Sequence, residues 1–491
     1  MYSVFFSKTI PRGTFPGIPK KDTVLGGVDV IYESPAKLVD EQDIIVAKMN
    51  YRLGPFGNWY MPVRIDGQPK SSFSIQDQRA GLKWIKNHIG KFNGDADDIT
   101  LGAASAGGLA AMIHMTHPES HDYFHNALII GAPQIKFWNT SEAAYAYGAI
   151  SVFSQCTTEE NMTSDLLDGS LLGCLKTIPL GTFQHICSKA GDIFKGIALN
   201  ANHVSQLEQL FAINIDGEIV RADPRDEFKT KSNNVKSDMG FYLHELGRNE
   251  GTSLTENLFS NEQFKETLFG DNYLLIFQEF NSHVRVPKVA HEGLMKTMYG
   301  AAGNEVMTHL LHEHALGCPA NPGDAMGLFT ECKHKTSDWI TSWLWHCNTR
   351  NFLSPVIGDE QFTNLYAIDF AAAYPGPNHG KPGVLKPDTG GVNDCYEAGG
   401  QKSCHIVGQA YLFGEAENQR VSQTDEEIAF GESYRSLYAS LIKNGVQDEF
   451  ATWTESNGQF NLVDIGETII TTMPYAMTCN IFDNLNIYGM I

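Results

Sequence analysis

The sequence predicts an α/β fold, with a mostly parallel central sheet and helices on both faces. Three features between Ile44 and Ile130 carry the prediction. Apolar runs of strand length alternate with segments of helical period. Those runs are nearly continuous, as in strands buried on both faces. A tight small-residue turn, Gly102 to Gly108, lies between a short strand and an apolar helix. Strand, helix, strand, helix, strand implies right-handed crossovers, which place helices on both faces.

Ile44–Tyr51 (IIVAKMNY) is the first buried strand. A helix follows from about Ser74 to Phe92, with Leu82, Ile85, Ile89 and Phe92 on one face. Ile99–Leu101 is a short strand, Ala110–Ile113 lies in the apolar helix, and Ala127–Ile130 is the next strand. Residues 140–340 are mixed and mostly helical in period, read as diverged helical insertions or a cap. Tyr374–Cys404 is a Gly/Pro-rich loop. Thr424-Asp-Glu-Glu427 is a capping box, opening a helix with Ile428, Tyr434, Leu437, Tyr438 and Leu441 as apolar residues and Asn444-Gly445 as its stop. Length alone suggests about three domains. No repeat or separating linker divides the chain, so 1–491 reads as one domain.

With 36 Lys+Arg against 57 Asp+Glu, the net charge of −21 excludes a nucleic-acid binder, which needs a basic surplus. No apolar run reaches the roughly 18 residues of a transmembrane helix. The N-terminal MYSVFFSKTIPRG does not read as a signal peptide. Nine cysteines without a Cys-x-x-Cys pair suit a few disulfides in an oxidising compartment. The sequons at Asn139 and Asn161 fit the same setting, so the expected location is secreted or in the secretory-pathway lumen.

Ser105 sits in Leu101-Gly-Ala-Ala-Ser-Ala-Gly-Gly108 between strand and helix. A nucleophile elbow holds its serine in such a turn and needs small residues two before and two after, here Ala103 and Gly107. The octapeptide alone reads better as a small-residue helix start. Four ordered blocks widen the view: Asn50-Tyr-Arg-Leu-Gly-Pro-Phe-Gly57, Gln76 to Asn87, Ile89 to Asp95 and Ile99 to Gly107. Together they resemble the type B carboxylesterase family, the cholinesterase-like branch of the α/β-hydrolases, over most of the chain.

The resemblance implies a serine hydrolase that cleaves carboxylic esters through an acyl-enzyme, without metal or organic cofactor. It implies Ser105 as nucleophile, Glu250 in Gly247-Arg-Asn-Glu-Gly-Thr252 as the acid, and His405, before Tyr411-Leu-Phe-Gly414, as the base. His379 is a rival base without that Phe-Gly spacing. The oxyanion hole would use Ala106 with Gly13 and Thr14, where Ile10-Pro-Arg-Gly-Thr-Phe15 replaces the family's glycine-rich segment. Ala104 replaces a glutamate before the serine, Ala132 stands where serine is frequent, and the region of the choline-stacking tryptophan has no counterpart. The expected partner is therefore a small neutral ester. The family also implies disulfides Cys156–Cys174 and Cys347–Cys479, then Cys395–Cys404 and Cys318–Cys332, leaving Cys187 free. The family's early strands and first disulfide loop should precede Met1, so the chain reads as N-terminally short. A noncatalytic adhesion or storage protein of the same fold is the alternative, favoured by the altered oxyanion segment. A metal site at His312, His314, Cys318, Cys332 and His334 lacks a zinc spacing and reads better as a disulfide-bearing loop.

Overall fold

Eight strands form one sheet in the order β2-β1-β3-β4-β5-β6-β7-β8, parallel throughout except that β8 runs antiparallel to β7. They are β1 Tyr2–Ser7, β2 Ile45–Lys48, β3 Ile99–Ala104, β4 Asn126–Ile130, β5 Tyr242–Gly247, β6 Leu365–Phe370, β7 Phe460–Val463 and β8 Ile470–Thr472. The computed structural model describes residues 2–7, 35–61, 71–135, 137–158, 160–161, 170–187, 213–252, 254–255, 286, 288–299, 332–372, 403–414 and 424–485.

Strands β3 to β6 are buried along their whole length, because helices cover both faces. Alternate strand residues feed two separate cores. After the short helices α1 (Ala36–Gln42) and α2 (Gly54–Asn58) come α3 (Phe73–His88) and α4 (Ala106–Met115), which Leu101, Ala103, Ile129 and Leu246 face, while Ala104, Leu128, Ile130 and Leu243 face the helices Val407–Phe413 and Asp425–Asn444. Each fully buried leucine or isoleucine contributes roughly 1.5–3 kcal/mol.

The helix Asp425–Asn444 begins as the sequence predicts. Thr424 Oγ1 accepts the Glu427 N–H at 3.1 Å, Glu427 Oε2 accepts the Thr424 N–H at 2.8 Å, and Gly445 closes it at φ +74°. In α3 the expected face holds for Leu82, Ile85 and Ile89, but Phe92 is 58% exposed. The α-helix stops at His88 and a 3₁₀ turn follows over Ile89–Phe92. Its tighter winding turns Phe92 off the buried face.

Two disulfides join Cys156 to Cys174 and Cys347 to Cys479. Cys332 and Cys404 are also disulfide-bonded, to partners outside the described residues, and Cys187 is free and buried. Among the described residues no helix is long and apolar enough to cross a membrane.

Candidate active site

Because the strands run parallel, their C-terminal ends share one edge of the sheet, the place where such folds assemble sites. Ser105 follows β3 at that edge with φ +55° and ψ −130°, and α4 starts at the next residue. A non-glycine residue at positive φ is strained, and here it forms a sharp strand-to-helix turn. The Ser105 N–H is held by the Ile130 carbonyl at 2.9 Å. α4 can pack close because Gly108 has no side chain, since an added Cβ would lie 2.6 Å from Ala132 Cβ.

Glu250 lies just past β5, fully buried. Its Oε1 accepts the Gly247 N–H at 2.7 Å and its Oε2 lies 2.5 Å from His405 Nδ1. His405 Nε2 is in turn 2.8 Å from Ser105 Oγ. With the Nδ1 proton donated to the carboxylate, Nε2 is left to accept the serine hydroxyl. Ser105, Glu250 and His405 are thus brought into one hydrogen-bonded chain. His405 keeps 26% of its side chain exposed, while Glu250 keeps none. Among the described residues the imidazole is thus partly open and the acid is not.

Two features at this site were not legible in the sequence. A π-helical turn, Ser342–Cys347, sets Trp345 so that its Nε1–H donates to the Gly131 carbonyl at 3.1 Å and its ring lies 5.7 Å from the His405 ring. Gly131 itself has φ +61°, and a Cβ there would lie 2.9 Å from Glu250 Oε1. Glu245, on β5, is a second buried carboxyl close by. Neither has a local signal: Trp345 depends on an inserted residue in a helix, and a glutamate in a central strand contradicts the apolar pattern.

Ala106, at the first position of α4, carries one of the amides a helix leaves without an intrahelical acceptor. Gly13, Thr14, His379, Cys318 and Cys395 lie outside the described residues. So do His312 and His314, while Cys332 is committed to a disulfide and is no thiolate ligand. Asn139 is exposed, and its Oδ1 accepts the N–H groups of Ser141 and Glu142 at 2.9 Å, capping the helix Thr140–Phe153. Read as a sequon, Asn139-Thr-Ser-Glu142 is equally a capping box. Asn161 is exposed too.

The sequence profile of the carboxylesterase family matches residues 27–482. The chain belongs to the carboxylesterase family. Among its carboxylesterase relatives, the inactive carboxylesterase-like protein VdtD of Byssochlamys spectabilis is 28% identical over 146 residues, 29% of this chain and 24% of that protein. Para-nitrobenzyl esterase of Bacillus subtilis (strain 168) is 32% identical over 103 residues, 21% of each chain. The acetylcholinesterase of Myxine glutinosa is 29% identical over 160 residues, 32% of this chain and 43% of that one. Each match thus spans less than half of the relative's own length. Family membership and the mostly parallel sheet agree with the α/β-hydrolase fold expected from the sequence.

Proposed function

We propose that this carboxylesterase-family chain is an active serine hydrolase that cleaves small neutral esters through an acyl-enzyme. The observation that carries the reading is the position of His405, 2.8 Å from Ser105 Oγ on one side and 2.5 Å from Glu250 on the other. As Ser105 Oγ attacks the ester carbonyl carbon, its proton passes to His405 Nε2. The oxyanion that forms is met by the Ala106 N–H, with Gly13 and Thr14 as the further donors. Collapse breaks the ester bond, and the alkoxide leaves as the alcohol with the proton from Nε2. Water then repeats the sequence on the acyl-enzyme, and the acid is released. Glu250 holds the imidazole in the needed tautomer and balances the imidazolium.

A neutral substrate is supported by Ala104, which ends β3 without a carboxylate. The disulfides support a secreted or luminal protein. Exposure of Asn139 and Asn161 suits glycan attachment. The chain reads as one catalytic domain, with 140–340 as its insertions.

The test is labelling by a fluorophosphonate probe and turnover of a short-chain nitrophenyl ester, with Ser105→Ala as control. Labelling and turnover lost in the variant would support the reading. A folded wild type that shows neither would promote the noncatalytic alternative, for which the name of VdtD offers a precedent.

A further inference from the structure

Glu245 is a buried carboxyl that the proposed reaction does not use. Its backbone carbonyl accepts the Gly131 N–H at 2.7 Å, so it lies in the strand beside the Ser105 turn. Two tyrosine hydroxyls, of Tyr434 and Tyr438, donate to its Oε2 from the helix Asp425–Asn444. Its Oε1 occupies the space that a Cβ on Gly408 would need, and the Tyr434 hydroxyl lies 3.0 Å from that same point. Gly408 is in the first turn of the helix Val407–Phe413, three residues after His405. Between them Ile406 sits at φ +59°, a conformation that a β-branched residue adopts at a cost of about 1–3 kcal/mol. Such a turn persists only where its surroundings hold it.

We propose that Glu245 is a positioning residue for His405: its carboxyl, held by two tyrosines, is wedged against Gly408 and fixes the strained turn that presents the imidazole to Ser105. The groups facing it are Tyr434 and Tyr438 from the covering helix and Glu250 from its own connection. Burial pushes the Glu245 carboxyl up to about 7, the tyrosine hydroxyls oppose this, and the Glu250 charge adds to it. Below that pH the wedge places no second negative charge beside Glu250. The proposal rests on the esterase reading for its kinetic consequences, but the placement of His405 can be read separately.

The experiment compares Glu245→Gln, Glu245→Ala, Gly408→Ala and the double variant Glu245→Ala/Gly408→Ala. Each is checked for folding by circular dichroism, then for kcat and KM on a short-chain nitrophenyl ester. The downfield proton resonance of His405 Nδ1–H is followed in parallel. Glu245→Gln, which keeps the shape, should hold kcat within about threefold, whereas Glu245→Ala should lower kcat about 10- to 100-fold with KM nearly unchanged, as misplacement by about an ångström does. The resonance should weaken in Glu245→Ala. Gly408→Ala, which collides with the carboxyl, should be worse still, and the double variant should recover about tenfold over it because the collision is gone. Should Glu245→Ala not fold, Glu245→Asp withdraws the carboxyl by one methylene and is held to the same rescue. Additive losses in the double variant, a rise in KM with kcat intact, or an unaltered resonance would overturn the proposal. A wild type that neither turns over nor takes the fluorophosphonate sinks the esterase reading instead, and the resonance still decides the role of Glu245.

Discussion

Arg248 bonds through its guanidinium to Asp369, tying the connection that carries Glu250 to the neighbouring strand β6. Asp369 is fully buried and the Arg248 side chain is 37% exposed. Burial raises the Asp369 carboxyl, but the nearby His346, 3.7 Å away, and the hydrogen bonds and charge of Arg248 outweigh it and hold it below the ordinary carboxylate range. His346 belongs to the same π-helical turn as Trp345, so Asp369 bonds one side of the candidate site and lies beside the other.

Asp369→Asn should therefore cost about 1.5–3 kcal/mol, less than a fully buried pair because Arg248 can reach water. The loss should appear at neutral pH and shrink as pH falls through the depressed value of Asp369, where the wild type gives up the same interaction. Urea melts at pH 7 and pH 3 measure it. Equal stability of variant and wild type at pH 7 would remove Asp369 from this role.

Glu245 titrates in the opposite sense. Its carboxyl is raised from an ordinary 4.5 to about 7, so its contribution is fully present below about 4.5 and is lost as pH rises through about 7. The span of 2.5 units corresponds to about 3 kcal/mol. Glu245→Gln, which cannot ionise, should gain on the wild type by up to that amount between pH 4.5 and pH 8. A stability difference that does not change with pH would contradict the assignment.

Glu250→Gln keeps the shape of the acid but can offer an amide N–H to His405 Nδ1, favouring the wrong tautomer. On the proposed mechanism kcat should fall roughly 10³- to 10⁴-fold while the protein stays folded. Steady-state turnover of a nitrophenyl ester reads the effect. A loss of less than tenfold would mean that Glu250 does not orient the base.

The two disulfides that lie wholly within the described residues differ in reach, with sequence separations of 18 and 132 residues. Replacing both members by serine should cost about 3 kcal/mol for Cys156–Cys174 and about 5 kcal/mol for Cys347–Cys479 on the chain-entropy account. The second loss should also reach the site, because Cys347 ends the turn that carries Trp345. Thermal melts alongside kcat test this, and a larger loss from the shorter loop would count against it.

The sequence made the front of the sheet legible because β3, α4 and β4 are locally consistent, with apolar strands flanking a small-residue turn. It missed β5, whose Tyr242-Leu-His-Glu-Leu-Gly247 places His244 and Glu245 inside the sheet. His244 Nδ1 bonds to the Tyr242 hydroxyl and the Glu245 carboxyl accepts from Tyr434 and Tyr438, partners which no local pattern announces. Strand β1 is hidden for a different reason: Tyr2–Ser7 is a stretch of 6 residues, too short to fix a period by itself. Ser105, Glu250 and His405 were found through ordered motifs, whereas Trp345 needed a register shift in a helix that period counting cannot see.

The hydrogen-bonded chain at the sheet edge joins residues 155 and 300 positions apart in sequence. During synthesis the serine turn leaves the ribosome long before its imidazole exists. No amino-terminal fragment ending before residue 405 can close that chain, so a half-made protein carries its serine without the imidazole proposed to activate it. On the proposed mechanism, ester hydrolysis assayed on the growing polypeptide should begin only after residue 405 has emerged and reached Ser105.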